Sequence, residues 1–240
     1  MVLRVARRLT RRWCRQVLVL IAALVTSHPL YAVEDATGIW LGAFVSGKLS
    51  ADEGGPWLYK VDAQARYYDF GNGLEEYLIR PGIGYALSDT TRAWLGYGRF
   101  VVESRSQGLM LDENRYWQQL DWRADAGAGV LGLRLLAEQR DVNFSSDVRH
   151  VLRFMARYRR PIARGPADNW FVATEAFFDL NTTDWGGDTG LSQYRLAFGA
   201  DGQLSEHLSL EAGVMLRYFW VEAFDDRANV LGRVNLIWRF

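Results

Sequence analysis

The sequence predicts an all-β protein: a single antiparallel, up-and-down transmembrane β-barrel of about 10–12 strands, preceded by a cleaved signal peptide. Three observations support this prediction. Apolar and polar residues alternate along almost the whole of residues 33–240, an arginine-rich and partly apolar segment precedes them, and the chain finishes on an alternating stretch that ends in Phe240. A chain of 240 residues, 49% of them hydrophobic, is long and apolar enough for one sizeable domain.

Residues 1–32 have the composition of a secretory signal peptide. They carry six arginines and no acidic residue, and their apolar run at 17–25 is too short to cross a bilayer, which takes about 20 residues. We therefore expect cleavage near Ala32 and a mature barrel domain over 33–240. Cys14, the only cysteine, lies before the apolar run, so the mature chain has no thiol for disulfides or metal ligands.

The neutral charge of the whole chain conceals an acidic domain. The 28 basic and 28 acidic residues cancel, but six of the basic residues lie in the predicted signal peptide, which leaves 22 basic against 28 acidic residues in 33–240. This acidic excess argues against a nucleic-acid partner.

Period-two alternation predicts the strands. In the stretch 57–68, Lys60 and Asp62 share one face, while Trp57 and Tyr59 share the other. Turn-forming residues such as glycine, asparagine and aspartate separate the alternating stretches from one another. Eleven stretches have this pattern: 38–48, 57–68, 76–87, 92–103, 113–124, 130–142, 149–159, 169–180, 191–201, 207–221 and 229–240. Because single-chain bacterial barrels have an even number of strands, we expect one stretch to split or to lie outside the wall.

Aromatic spacing favours a membrane barrel over a soluble β-sandwich, which would bury the apolar face instead. Tyr59 and Tyr67 lie eight residues apart on one face, as do Tyr77 and Tyr85. At the usual strand rise and tilt this is roughly 20 Å of barrel height, close to the separation of two interfacial girdles. Further girdle positions are expected at Trp94, Trp122, Tyr158, Tyr194, Tyr218 and Trp238.

The opposite face carries charges suited to a confined lumen. The chain has 26 arginines and two lysines, and the planar guanidinium pairs well with carboxylates, although a biased genome would give the same ratio. The charged residues predicted to line the lumen are Arg66, Arg80, Glu113, Arg115, Asp121, Arg134, Glu138, Arg140, Arg153, Arg157, Glu175, Arg195, Glu211 and Arg217.

The C-terminal stretch is the most specific local signal. Trp238 and Phe240 lie on the apolar face of an alternating strand, and a terminal aromatic of this kind resembles the recognition signal that the barrel-assembly machinery of bacterial outer membranes reads. We therefore expect export through the periplasm and insertion into the outer membrane. The expected partners are outer-membrane lipid and, during biogenesis, that machinery.

Four stretches carry a resemblance to a known family: ENRYWQQL at 113–120, LRLLAEQR at 133–140, RFMARYRRP at 153–161 and EAFF at 175–178. They are similar to a family of bacterial outer-membrane proteins catalogued as a domain of unknown function, and the similarity spans most of 38–240. The resemblance implies a small outer-membrane barrel. It carries over no catalytic residue and no established activity.

The mature sequence shows no catalytic motif. Its two histidines, His150 and His207, lie outside any serine–histidine arrangement, so we expect no enzyme. Asn181, Asp184 and Asp188 lack the spacing of a calcium loop and are expected in a solvated turn. We expect neither a metal nor a cofactor.

These observations leave three functional hypotheses. The first is an integral outer-membrane barrel with a narrow or plugged lumen lined by arginine and glutamate, its specific role unknown. The second is a narrow channel for small anionic solutes, suggested by the arginines of 149–159 on one strand face. The third is an outer-membrane lipid-modifying enzyme.

Overall fold

The computed structural model describes residues 34–49, 55–68, 74–104, 109–220 and 227–240. The predicted signal peptide, 1–32, lies outside these residues. No helix in the described part of the chain is long and apolar enough to cross a membrane.

Eleven strands form the described part of the chain, and each corresponds to one of the eleven predicted stretches. They are β1 (Glu34–Lys48), β2 (Trp57–Tyr68), β3 (Leu74–Ala86), β4 (Thr91–Ser104), β5 (Leu109–Ala126), β6 (Gly129–Val142), β7 (Arg149–Pro161), β8 (Asn169–Asp179), β9 (Gly190–Gln203), β10 (Leu208–Phe219) and β11 (Arg227–Arg239). The all-β prediction and the predicted range of about 10–12 strands are therefore confirmed.

The strands close into one barrel in which each strand pairs antiparallel with its neighbours in sequence, while β1 and β11 pair parallel to each other. The seam runs from Glu34 beside Arg227 to Ser46 beside Arg239. The predictions of a wholly antiparallel barrel and of an even strand number are therefore wrong. The two errors have one cause: strands alternate in direction, so an odd number of them leaves the first and the last pointing the same way.

The two ends of the barrel are distinguished by which end of β11 lies there. The C-terminal rim is the end where β11 finishes, and there the backbone N–H of Phe240 donates to the carbonyl of Ser46 at 3.0 Å. The opposite rim is the end where β1 and β11 begin. The connection between β5 and β6 at the C-terminal rim takes only two residues, whereas that between β8 and β9 at the opposite rim spans 180–189.

The faces of the wall are inverted relative to those of a water-soluble β-protein. Val214 and Phe198 point outward and are 56% and 58% exposed, whereas Glu113 and Glu138 point inward and are 4% and 0% exposed. Apolar side chains alternate with these buried charges along every strand that contributes to the lumen. The wall thus presents an apolar outer surface and encloses a polar interior.

Trp94 corrects one predicted girdle position. Its side chain points inward, is 8% exposed, and packs with Trp117 and Leu136 in a buried apolar cluster. The stretch 92–103 has apolar or glycine residues on both faces, so alternation alone did not show which face its tryptophan occupies.

Two glycines leave the space that the Trp117 side chain occupies on the inner face of the wall. A Cβ atom built on Gly82 or on Gly96 would overlap the indole ring of Trp117, and one on Gly96 would also overlap the carbonyl of Pro81. The missing side chains on β3 and β4 therefore allow the β5 tryptophan to lie flat against the wall.

Replacing Gly96 with alanine is expected to lower the free energy of unfolding by about 1–3 kcal/mol, because the new methyl group forces the buried indole or the backbone to move. Gly98→Ala is the matched control on the same strand. Its Cβ would lie 3.2 Å from Cγ of Arg80 and 3.4 Å from the ring of Phe100, which are much milder contacts than those at Gly96. Guanidinium unfolding measures the free energy of unfolding of both variants. Equal values would contradict the close packing of Trp117 against Gly96.

Candidate functional site

The charged lumen is the candidate site. All fourteen residues predicted to line it point inward and are buried or half-buried. By strand, β2 and β3 contribute Arg66 and Arg80; β5 contributes Glu113, Arg115 and Asp121; β6 contributes Arg134, Glu138 and Arg140; β7 contributes Arg153 and Arg157; and β8, β9 and β10 contribute Glu175, Arg195, Glu211 and Arg217.

Glu138 is the most deeply buried carboxylate of the lumen. Its Oε1 lies 2.9 Å from Nη1 of Arg153 and 3.6 Å from Nη1 of Arg80. Its Oε2 accepts hydrogen bonds from Arg140, including one from Nε at 3.1 Å. Three guanidinium groups therefore compensate one carboxylate that no solvent reaches.

Arg153 links Glu138 to a second buried carboxylate, Glu175. Its Nη2 lies 2.7 Å from Oε1 of Glu175, and Nη2 of Arg134 lies 2.6 Å from the same oxygen. Arg195 approaches the other oxygen of Glu175 at 3.5 Å. The result is a continuous network in which each carboxylate is shared by several guanidinium groups.

Other ion pairs extend this network along the lumen. Asp62 accepts from Nη2 of Arg80 at 2.7 Å, and Glu113 accepts from Nη2 of Arg115 at 2.6 Å. Asp121 differs, since its oxygens accept from Nε2 of Gln119 at 2.9 and 2.8 Å.

A second network lies on the β7–β11 side. Glu211 accepts from Arg157 at 2.6 Å, from Asn235 at 3.0 Å and from Arg233 at 3.4 Å. Next to it, Asp201 accepts from Nε of Arg159 at 2.7 Å.

Several ion pairs span the lumen instead of following the wall. Arg80 and Glu138 belong to β3 and β6, and Arg157 and Glu211 belong to β7 and β10. Since these strands are not neighbours in the barrel, their side chains must reach across the interior to meet. The charges therefore occupy the cross-section of the barrel as well as coating its wall.

Arginines stacked on aromatic rings fill the half of the lumen nearer the opposite rim. The guanidinium carbon of Arg66 lies 3.9 Å from the ring centre of Trp40, and that of Arg115 lies 3.4 Å from the ring centre of Phe100. Nε1 of Trp40 donates to the hydroxyl of Tyr68 at 3.0 Å. These rings are almost fully buried, so they close this half of the lumen.

A cavity of about 370 Å³ occupies the remaining part of the lumen. Ser46, Ile237 and Arg239 contribute to its lining, so it reaches the C-terminal rim. Among the described residues, nine arginines or lysines line it against three carboxylates, those of Asp62, Glu175 and Glu211. Positive charge therefore exceeds negative charge in the lining of this cavity.

The predicted list of lumen residues omits several members of these networks, although they obey the same period-two pattern and the sequence already places Lys60, Asp62 and the arginines of 149–159 on the charged face. The missed residues are Lys60, Asp62, Glu76, Arg149, Arg159, Asp179, Asp201, Arg233 and Asn235. Strict application of the alternation to every polar residue on the lumen face would have included them. Their partners could not have been found in this way, because pairs such as Arg217 and Glu76 join distant strands.

The outer face has polar side chains on β4, β5 and β6, and these pair with one another. Arg99 forms an ion pair with Asp112. Asn114 accepts from the hydroxyl of Tyr97 and donates to Asp141 at 2.8 Å. Mutual pairing lowers the cost of placing such groups on an otherwise apolar surface.

The histidines lie apart from the charged lumen. The backbone N–H of His150 donates to the side chain of Asn181 at 2.8 Å. His207 lies 2.9 Å from the carbonyl of Arg239 through Nδ1, and its ring stacks on Phe240 at 5.6 Å. Phe240 itself is 67% exposed at the C-terminal rim, and Trp238 is half-buried.

The loop oxygens considered for calcium make hydrogen bonds within the protein. Asp184 accepts from the hydroxyl of Ser145 at 2.6 Å, and Asn181 bonds the backbone of β7 and its preceding turn. Within the described ranges, no three histidine, cysteine, aspartate or glutamate residues are grouped so that they could hold a metal ion.

Comparison with known proteins identifies a relative of similar length. An uncharacterized protein of Methylorubrum extorquens is 25% identical over 210 residues, which cover 84% of this chain and 87% of that protein. A family model described as "Protein of unknown function (DUF2490)" matches residues 37–229, which include the nine strands β2 to β10, most of β1 and the start of β11. The resemblance to an uncharacterised family is thereby confirmed, and the chain belongs to this family of proteins of unknown function.

Proposed function

We propose that the protein is an integral barrel of the bacterial outer membrane whose lumen is closed by its own ion pairs. One observation carries this proposal: the exposed outer face is apolar, and the charged face is buried. In water this arrangement would leave a large apolar surface unprotected, whereas in a bilayer the same surface is matched to lipid. The closed form of the wall also satisfies the strand hydrogen bonds that lipid cannot satisfy.

The closed lumen follows from the side chains that cross it. Ion pairs join strands that are not neighbours in the barrel, and stacked arginines and aromatic rings occupy the half near the opposite rim. An open porin lumen instead holds a continuous column of water.

Membrane insertion is tested by expressing the full chain and separating the inner and outer membranes. We expect the protein in the outer-membrane fraction and a shift in gel mobility between unboiled and boiled samples. Recovery in the soluble fraction without such a shift would overturn the proposal.

Val214→Arg provides a sharper test of the lipid-facing wall. Val214 lies near the middle of β10 and points outward. If lipid covers it, the arginine is expected to lower the free energy of unfolding in vesicles by about 2–4 kcal/mol. Leu204→Arg is the matched control, because Leu204 is equally exposed but lies in the turn at the C-terminal rim. Similar small effects for both variants would contradict a lipid-facing wall.

A narrow anion channel is the second candidate, and the excess of cations around the cavity favours it. Planar-bilayer recordings separate the two functions. Steady single-channel steps with anion preference, reduced by Arg153→Ala and Arg157→Ala, would support the channel. A silent bilayer that demonstrably contains inserted protein would support the closed barrel.

A further inference from the structure

The cavity near the C-terminal rim has a volume of about 370 Å³ and is lined by more basic than acidic side chains. We propose that it is a binding site for a small, water-soluble organic oxyanion with two or more negative charges, which enters from the C-terminal rim. This inference goes beyond membrane insertion and does not depend on it, because the cavity is formed by the inner face alone.

The cations around the cavity are incompletely neutralised. The ammonium group of Lys60 lies 4.4 Å from the ring centre of Trp94 and 4.7 Å from that of Trp117, and it forms no ion pair with a described residue. Arg233 has one carboxylate contact in the described part of the chain, at 3.4 Å to Glu211. A bound oxyanion would supply the missing negative charge to both groups.

Two further cavity residues present unused donors. Nε of Arg80 and Nε of Arg134 are buried and have no hydrogen-bond acceptor, although the terminal nitrogens of both side chains are engaged in ion pairs. Leaving a buried donor without an acceptor is costly, so the protein alone satisfies these two arginines incompletely.

The strand register concentrates positive charge at the entrance. Ser46 on β1 lies directly beside Lys60 on β2 and beside Arg239 on β11, and all three residues line the cavity. An ammonium, a hydroxyl and a guanidinium group therefore flank one opening. Such a cluster attracts anions and retains those whose oxygens can accept several hydrogen bonds.

The size and the remaining lining indicate an organic ligand. A volume of about 370 Å³ falls within the range of small-molecule sites and exceeds what a single inorganic anion fills. Phe44, Leu78, Met155 and Ile237 contribute apolar surface to the same cavity. The cavity reaches the C-terminal rim through Ser46, Ile237 and Arg239, and access from that end favours a soluble ligand over a lipid.

Stacked side chains line the inner end of the cavity. Arg66, Trp40 and Phe100 all contribute to its lining, and the guanidinium carbon of Arg66 lies 3.9 and 5.8 Å from the centres of the two rings. A ligand that enters from the C-terminal rim therefore meets a closed floor.

Calorimetric titration of the refolded barrel in a zwitterionic detergent tests the proposal, with glucose 6-phosphate and glucose as a matched pair of probes. We expect saturable binding of glucose 6-phosphate, weakened by added salt, and no binding of glucose. Lys60→Gln and Arg233→Gln are each expected to weaken binding about tenfold. Arg160→Gln is the control, because Arg160 is exposed on the outer face of β7, and it should leave the affinity unchanged.

Absence of binding at millimolar glucose 6-phosphate would overturn the proposal, as would equal affinity for glucose. Unchanged affinity in both Lys60→Gln and Arg233→Gln, with heat-modifiable mobility retained, would also overturn it. A folded barrel that inserts into vesicles but binds no oxyanion separates this failure from a failure of the membrane proposal.

Discussion

Replacing Glu138 with glutamine is expected to lower the free energy of unfolding by about 3–5 kcal/mol. The substitution conserves shape but removes the charge that Arg80, Arg140 and Arg153 share. Because Glu138 is inaccessible to solvent, water cannot replace the lost carboxylate, and the three guanidinium groups keep only their other carboxylate partners, Asp62, Glu113 and Glu175. Guanidinium unfolding in vesicles measures the change.

Two further variants make this result interpretable. Glu206→Gln makes the same chemical change in an exposed turn at the C-terminal rim and should leave stability unaltered. The double variant Glu138→Gln with Arg140→Gln also removes the cation whose other carboxylate contact is the longest, 3.8 Å to Glu113, and should recover part of the loss. If Glu138→Gln alone costs less than about 1 kcal/mol, the network contributes little to holding the lumen closed.

Trp117→Ala is expected to have an effect of similar size, about 3–5 kcal/mol. The indole is fully buried between the wall glycines Gly82 and Gly96 and the ammonium group of Lys60. Truncation removes the packing against the wall and leaves a void next to a cation. Chemical unfolding reports the loss, and the emission of the remaining tryptophans, Trp94 among them, should shift as solvent enters.

Trp122→Ala is the natural comparison, since Trp122 is on the same strand but points outward and is substantially exposed. It should cost clearly less than Trp117→Ala. Equal losses of stability would show that the packing around Trp117 on the inner face contributes no more than the contacts of Trp122 on the outer face.

The alternation of residue types predicted the wall well because it is a local property. The eleven stretches and the inward face of residues such as Glu113 and Arg115 follow from period two alone. The sequence did not reveal which charges meet. Contacts such as Arg157 with Glu211 depend on how far the strands are staggered around the closed barrel, a property of the whole assembly.

The aromatic residues show where a local pattern becomes ambiguous. A tryptophan suits both a lipid interface and a packed interior, and Trp94 was assigned to the wrong one. The glycines at 82, 84 and 96 are the signal that could have corrected the assignment, because they create room on the inner face for large rings. The parallel seam was likewise out of reach, since its two strands lie at opposite ends of the sequence.

The pairing between β1 and β11 satisfies backbone hydrogen-bonding groups of the first and the last strand. Each of them has one partner next to it in sequence, and only their mutual pairing supplies the second. Detaching β11 would therefore expose two rows of unpaired amide and carbonyl groups, one on β1 and one on β10. Such edges are templates for pairing with other chains in water and are not tolerated in lipid. The β1–β11 ladder from Glu34 to Ser46 is thus the one pairing that leaves the sheet without a free edge.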